Sequence, residues 1–346
     1  MMYASELDFH RPAHLQASQP PELRGEHRGD VRLLVSSPHG HQHAHFSKLP
    51  LFLNEGDVLV VNDSATLPAS LPAIRHTQPF ALNLSTDYGA GLWLAEPRVN
   101  QSTPGPLNIR AGEVFETAGL KGTFVAVHPQ LERLWFVQFD GDINSRLAQY
   151  GEPIRYGYVL DTYGLNAYQS VFARVPGSAE MPSAARAFTP HLVTELTAQG
   201  VKIAAITLHT GVSSLEIESE TLDEHALYAE PFAVSEQTAM QINAAKREGR
   251  RIIAVGTTVV RALASAWNGS EVEAQRGFTQ RFIHPESDAG IELDGLLTGF
   301  HDPKASHLAM LYAVAGKNLV LEGYETAVQR GYLWHEFGDS HLILTS

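Results

Sequence analysis

Cysteine is missing from this chain altogether. Its absence removes disulfides, thiolate metal sites and cysteine nucleophiles together. No apolar run approaches the length needed to span a bilayer, and the N-terminal segment lacks the basic-then-apolar layout of a secretory signal. A cytoplasmic protein with no membrane partner is therefore the expectation. Positive charge is also scarce. Lys and Arg total 25 against 38 Asp and Glu, a formal net charge of −13. Binding to nucleic acid at large works by neutralising phosphates and is disfavoured by that balance. A local basic patch can still be built from arginines such as Arg24, Arg28, Arg155 and Arg174. Several familiar catalytic signatures are absent too: no P-loop, no complete GxGxxG, no HExxH and no GxSxG elbow.

Core material, by contrast, is ample. Hydrophobic residues make up 44% of 346, enough for two domains. No internal repeat stands out, but three textures do. Residues 1 to about 62 begin rich in proline and charge and then carry two short strands, Val31–Ser36 and Asp57–Asn62. Residues 64 to about 148 are rich in Pro, Gly and Thr. They hold short β-like runs at Phe80–Ser85, Gly91–Ala95, Gly122–Val127 and Leu134–Phe139, as in a small all-β barrel or sandwich. The remainder alternates helices with strands, as α/β regions do. If the first strands pair with the last region, the β-rich segment is an insertion. The expected organisation is thus a discontinuous α/β domain, 1–63 plus 149–346, interrupted by an inserted β-barrel domain at 64–148.

Helix signals are clearest in the last region. Thr189-Pro190 reads as an N-cap with proline at the first helical position, and Gly200 sits where a left-handed C-terminal residue belongs. Ser235 opens a second helix that Gly249 closes. Ser306 is expected to cap a helix running to Ala315, and Lys317–Arg330 reads as another. Leu342–Leu344 is a plausible last strand.

The most informative stretch is Arg251-Ile-Ile-Ala-Val-Gly-Thr-Thr-Val-Val-Arg261. The unbroken apolar run Ile252–Val255 predicts a strand covered on both faces. Gly256 permits a sharp turn. Thr257 and Thr258 can cap the following helix, whose free N–H groups can hold a carboxylate or phosphate. An ordinary capped helix is the bland alternative.

Other strand ends and loops offer further candidates, each with a structural rival. His209, in Leu208-His209-Thr210-Gly211, ends a strand, where ligands of open α/β sheets gather; it can move a proton or only brace a loop. Asp223-Glu224-His225 can place a carboxylate beside an imidazole or be a solvated turn. His301 is held before a helix start by Pro303. Asn62 and Asp63 follow an apolar strand and can form an Asx turn or bind ribose hydroxyls. His39, His41, His43 and His45 alternate and would share one strand face. Without carboxylates at fixed spacing they read as a hairpin near Gly40 rather than a metal site.

Taken together, the motifs resemble the S-adenosylmethionine:tRNA ribosyltransferase-isomerase family of queuosine biosynthesis. The matching strings include Leu7-Asp8-Phe9, Arg32-Leu-Leu-Val35, Gly56-Asp-Val-Leu-Val-Val-Asn-Asp63 and Tyr168-Gln-Ser-Val-Phe-Ala173. They continue through Phe188-Thr-Pro190, Thr207-Leu-His209, Glu224-His225, Ile242-Asn-Ala-Ala-Lys246 and Ala254-Val-Gly-Thr-Thr-Val-Val-Arg261. The last are Leu296-Leu-Thr-Gly-Phe-His301 and Phe337-Gly-Asp339. The resemblance implies a split α/β domain with an inserted barrel. It implies an enzyme that moves the ribosyl part of S-adenosylmethionine onto 7-aminomethyl-7-deazaguanine in tRNA, forming epoxyqueuosine and releasing adenine and methionine. It implies no metal and no cofactor beyond S-adenosylmethionine as substrate. Under this reading His209 or His301 transfers a proton, Glu224 and His225 orient substrate, and Gly256, Thr257, Thr258 and Arg261 hold an anionic group. Asn62, Asp63 and Asp339 join them as substrate contacts.

The chain departs from the family pattern at several of these places. Asn62-Asp63 is followed by Ser64-Ala65 where the family carries Thr and a basic residue. Pro182-Ser-Ala-Ala-Arg-Ala-Phe-Thr189 lacks the family's histidine and glycine. His209-Thr-Gly-Val-Ser-Ser-Leu215 lacks its second glycine. Arg75 and Arg186 are the available replacements for lost basic groups. A paralogue of the same scaffold acting on a different nucleoside or small molecule is therefore the alternative.

Overall fold

The computed structural model describes residues 2–101, 103–105, 107–159, 161–212, 217, 219–222, 225–287 and 290–346. The elements run, in order, β1 (Arg32–Ser37), β2 (Gly40–His45), β3 (Val58–Asn62), β4 (Ser64–Thr66), β5 (Ser70–Arg75), β6 (Gln78–Asp87), β7 (Leu92–Arg98), β8 (Val114–Thr117), β9 (Leu120–Val127) and β10 (Trp135–Phe139). Helix α1 (Asn144–Tyr150), β11 (Val175–Ser178), α2 (Pro190–Ala198), β12 (Lys202–Leu208), β13 (Glu230–Val234), α3 (Glu236–Arg247), β14 (Ile252–Val255) and α4 (Thr257–Ala266) follow. The chain ends with β15 (Gln275–Thr279), β16 (Gly295–Gly299), α5 (Ser306–Ala315), α6 (Lys317–Gln329) and β17 (Ser340–Leu344).

Among the described residues, nine strands form one mixed sheet in the order β15-β13-β12-β3-β14-β16-β17-β1-β2. Its centre, β12-β3-β14-β16, is parallel. Strands β3 and β14 are buried along their whole length, which explains their lack of polar alternation. One face packs against α3 to α6 around Ile242, Leu263, Leu308 and Tyr324. The other packs against Phe46, Leu49 and α2. The chain places β12 on one side of β3 and β14 on the other, so the strand order reverses at β3. The carboxyl ends around such a reversal open a crevice.

Strands β5 to β10 close into a barrel, β10-β7-β6-β5-β8-β9, with β9 and β10 completing the ring. Phe80, Trp93, Phe115 and Phe124 fill it. The barrel also touches the crevice. Val212 N donates to Ser85 Oγ at 3.0 Å, and Tyr228 Oη donates to Val212 O at 2.7 Å. A Cβ on Gly211 would lie 2.3 Å from Tyr228 Oη and 2.4 Å from Ser85 Oγ, so only glycine passes between barrel and sheet there.

The local helix signals fare unevenly. Thr189 accepts from Leu192 N and Ser235 from Thr238 N, both as side-chain caps. Ser306 does not cap α5: it is the first helical residue, and the N-cap, Ala305, has no side-chain bond to offer. Thr257 and Thr258 likewise lie inside α4, whose N-cap is Gly256. No helix among the described residues is long and apolar enough to cross a membrane.

Candidate active site

The crevice holds a pocket bounded by the ends of β14 and β16, the starts of α4 and α5, and the loops carrying residues 156–158, 180–184, 210–211, 227–230 and 335–336. Gly256 makes its turn with φ at 96°, a region that favours glycine, and a Cβ there would meet Ala184 Cβ at 3.2 Å. Two uncapped helix starts line the same pocket: α4 at Thr257 and α5 at Ser306. Unpaired N–H groups at a helix start carry partial positive charge and suit an anion. Arg261 adds less than its sequence position promises. Its guanidinium is ion-paired with Glu230, and Glu230 also accepts from Gly211 N at 2.7 Å.

His301 follows β16 and is fixed from three sides. Its Nε2 pairs with Thr298 Oγ1 at 2.9 Å, its N–H donates to Tyr324 Oη at 3.1 Å, and its carbonyl accepts from Trp334 Nε1 at 3.0 Å. Its ring stacks on His307 with centroids 4.6 Å apart. Burial, reinforced by His307, holds the His301 imidazole well below its usual range. Burial and then Arg261 bring His307 down to about 4. Both rings are thus neutral at neutral pH, available to accept or share a proton but reluctant to carry charge.

The remaining wall is acidic and aromatic. Tyr156 and Tyr158 stack with centroids 5.4 Å apart and planes within 5°. Tyr156 Oη donates to Glu180 Oε2 at 2.6 Å. Tyr158 also faces the His335 ring at 4.6 Å. His335 adopts φ 72°, rare for a residue with a side chain, while its Nε2 lies 2.7 Å from Asp302 Oδ2. Beside it stands Glu336, whose carboxyl is pushed up to about 8 by burial and then by Glu180.

The residues anticipated from sequence divide. Gly256, Thr257, Thr258, Arg261 and His301 line the pocket together. His225 stands one layer away, its ring edge-on to the pocket residue Phe282 at 5.1 Å. Glu224 lies outside the described residues. Asn62 is absorbed in stitching: its amide bonds both Leu208 N and Leu208 O, accepts from Ser64 N and donates to Thr258 Oγ1. The Asx-turn reading of Asn62 is therefore the one realised. Asp63 accepts from Thr207 Oγ1 at 2.6 Å and borders a separate groove with Arg174. His209 pairs through Nδ1 with Ser64 Oγ at 2.7 Å and packs on Gly177, outside the pocket lining. Asp339 is enclosed by Arg32 and Leu333 N. Arg186 binds Glu22 and Arg75 binds Glu113, so neither brings charge into the pocket. His41, His43 and His45 each have a hydrogen-bond partner, in Ser36, Tyr332 and Asp30 respectively. No group of three or more potential metal ligands occurs among the described residues.

Tyr156, Tyr158, Glu180, His307, His335 and Glu336 were not anticipated. Glu336 had a signal near it, being adjacent to the Phe337-Gly-Asp339 string, and His307 adjoins Ser306.

A parallel-centred sheet with a barrel between its strands and a pocket at its strand ends defines an α/β scaffold of the ligand-binding kind. Comparison with known proteins then makes the assignment specific. The profile of the queuosine biosynthesis protein family matches residues 4–343. The S-adenosylmethionine:tRNA ribosyltransferase-isomerase of Thermus thermophilus is 37% identical over 340 residues, covering 96% of this chain and 97% of its own. That of Moorella thermoacetica is 35% identical over 351 residues, covering 99% and 100%. The crystal structure of the S-adenosylmethionine tRNA ribosyltransferase of Thermotoga maritima superposes with a TM-score of 0.55 at 27% identity, covering 98% of this chain and 100% of that one. The chain belongs to the queuosine biosynthesis protein family and is an enzyme of its transferase–isomerase class.

Proposed function

We propose that this enzyme transfers and isomerises the ribosyl group of S-adenosylmethionine onto 7-aminomethyl-7-deazaguanine in tRNA, yielding epoxyqueuosine with release of adenine and methionine. The observation that carries the reading is the convergence of two uncapped helix starts and two neutral histidines in one pocket. The methionine carboxylate would sit at the N–H groups of Thr257 and Thr258, where the helix start favours negative charge. His301 would take the proton released beside the sulfonium. A neutral imidazole can do so without first losing a proton of its own. In this reading S-adenosylmethionine is a substrate and no further cofactor is needed. Residues 1–63 and 149–346 form the catalytic unit, and the inserted 64–148 barrel pins the loop bearing Gly211 and Tyr228. A cytoplasmic location follows from the tRNA substrate.

The experiment is incubation of the purified protein with S-adenosylmethionine and tRNA bearing the aminomethyl base. Adenine release that depends on that tRNA is the expected result. Release without tRNA would instead favour a smaller acceptor. One observation speaks for that second reading: Arg32, Arg75, Arg186, Arg251 and Arg261 are all tied into internal ion pairs, which withdraws them from phosphate contact.

A further inference from the structure

We propose that the wall formed by Tyr156, Tyr158, Glu180 and Glu336 is a subsite for a primary alkylammonium group, and that Glu336 accepts a proton from that group. The inference rests on the reading above and deepens it by giving the acidic wall a ligand and a role.

The geometry asks for an N–H donor. Glu336 Oε1 is buried without a hydrogen-bond partner, and so is the Tyr158 hydroxyl. An orphaned acceptor of this kind is unfavourable in a folded protein until a ligand or an ordered water completes it. A sulfonium has positive charge but no N–H to give. A primary ammonium has three. Tyrosine rings beside two neighbouring carboxyl groups offer a cation an aromatic wall and counter-charge. The two carboxylates differ in what holds them. Glu180 receives the Tyr156 hydroxyl at 2.6 Å. Glu336 is left to take up a proton.

The chemistry needs such a group. An alkylamine is an ammonium at neutral pH, by analogy with lysine at about 10.4, and its lone pair is then unavailable for bond formation. In the proposed step one N–H bond breaks and one O–H bond forms on the Glu336 carboxylate. The electron pair remains on nitrogen, and an ammonium–carboxylate pair becomes a neutral amine beside a neutral acid. Burial lowers the proton affinity of His301 and His307. Glu336 is displaced the other way, to about 8, much closer to an amine. The groups facing it are Glu180, Tyr158, Tyr168 and Arg186. Arg186 is itself paired with Glu22, and Asp302, which also faces Tyr158, is held by Arg11 and His335.

Two ammonium groups fit this chemistry, the methionine amino group of S-adenosylmethionine and the aminomethyl group of the acceptor. The test separates them. In full-length protein carrying carboxyl-labelled glutamate, the Glu336 signal is identified by its loss in Glu336→Gln and titrated by NMR. The expected midpoint is near 8, falling by about one unit or more with excess ethylammonium and unmoved by tetramethylammonium, which lacks N–H. Calorimetry and steady-state kinetics with Glu336→Gln then assign the source. S-adenosylmethionine binding weakened about 10- to 100-fold supports the methionine amino group. Unchanged binding with a comparable fall in kcat, partly restored in Glu336→Asp, supports the acceptor amine. A Glu336 midpoint in the ordinary carboxylate range, or one that tetramethylammonium moves as far as ethylammonium does, would overturn the proposal. The titration needs no turnover, so it stands or falls separately from the adenine-release assay.

Discussion

Replacing Asp339 by alanine should damage stability and leave substrate affinity almost intact. Asp339 follows the Phe337-Gly motif and is an obvious substrate contact on sequence grounds. Its carboxylate, however, accepts from Arg32 N at 2.7 Å, Arg32 Nη2 at 2.8 Å, Arg32 Nε at 3.1 Å and Leu333 N at 2.8 Å. It thereby ties the start of β1 to the turn before β17. Truncation strands two main-chain donors and leaves the Arg32 guanidinium only the carbonyls of Arg330 and Gly331. Breaking a fully buried pair costs about 3–5 kcal/mol. Asp339 is 5% exposed but Arg32 is 36% exposed, so water recovers part of the loss and roughly 2–4 kcal/mol is the better figure. Unfolding entropy of about 2.1 cal/mol/K per residue makes each kcal/mol worth roughly 1.4 °C for a chain of 346 residues, or about 3–6 °C in all. Thermal unfolding, alongside KM for S-adenosylmethionine measured well below the transition, checks this. A tenfold rise in KM at unchanged Tm would refute the structural role and restore Asp339 to the substrate.

The two candidate proton-transfer histidines should separate. His301→Ala should lower the rate of adenine release by about 100-fold or more, whereas His209→Ala, which leaves Ser64 without its imidazole partner, should reduce Tm and change the rate only a few-fold; equal losses in both would contradict the pocket assignment. Gly256→Ala should destabilise by about 1–3 kcal/mol, because φ 96° with ψ 154° is a backbone region essentially reserved for glycine, and adding Ala184→Gly should relieve the 3.2 Å contact without restoring stability; full rescue by the double variant would show that crowding, not the backbone, is decisive. Glu336→Gln should stabilise the protein increasingly as pH rises from about 4.5 to 8 and by a constant amount above that. Over that range the unfolded chain has released the proton while the folded chain still holds it, so wild-type stability falls as pH rises. A Tm difference independent of pH would remove the elevated carboxyl.

What could be read in advance depended on how local the signal was. Thr189-Pro190, Ser235 and Gly256 act on residues two or three positions away, and their turns and caps were legible from the string alone. Ser306 and Thr257 were misjudged as caps because a hydroxyl beside a helix start looks the same whether it is the cap or the first helical residue. Strand β5 escaped notice because Pro72 interrupts its pattern, and β8 because it has only four residues. Asn62 and Asp339 show the harder limit. A polar residue at a strand end suits a ligand and a fold contact equally, and only the position of Leu208 or Arg32 decides. Tyr158 and Glu336 sit in loops nearly 180 positions apart, with nothing nearby to announce their burial. Their meeting is produced by the sheet order, which no local pattern encodes.

The most direct measurement is the crystal structure of the protein bound to S-adenosylmethionine. The account predicts the ligand in the strand-end pocket, its carboxylate within hydrogen-bond reach of the Thr257 and Thr258 N–H groups and its reacting centre beside His301. A ligand seated instead in the groove of Asp63 and Arg174, or a pocket that stays empty at saturating concentration, would contradict it.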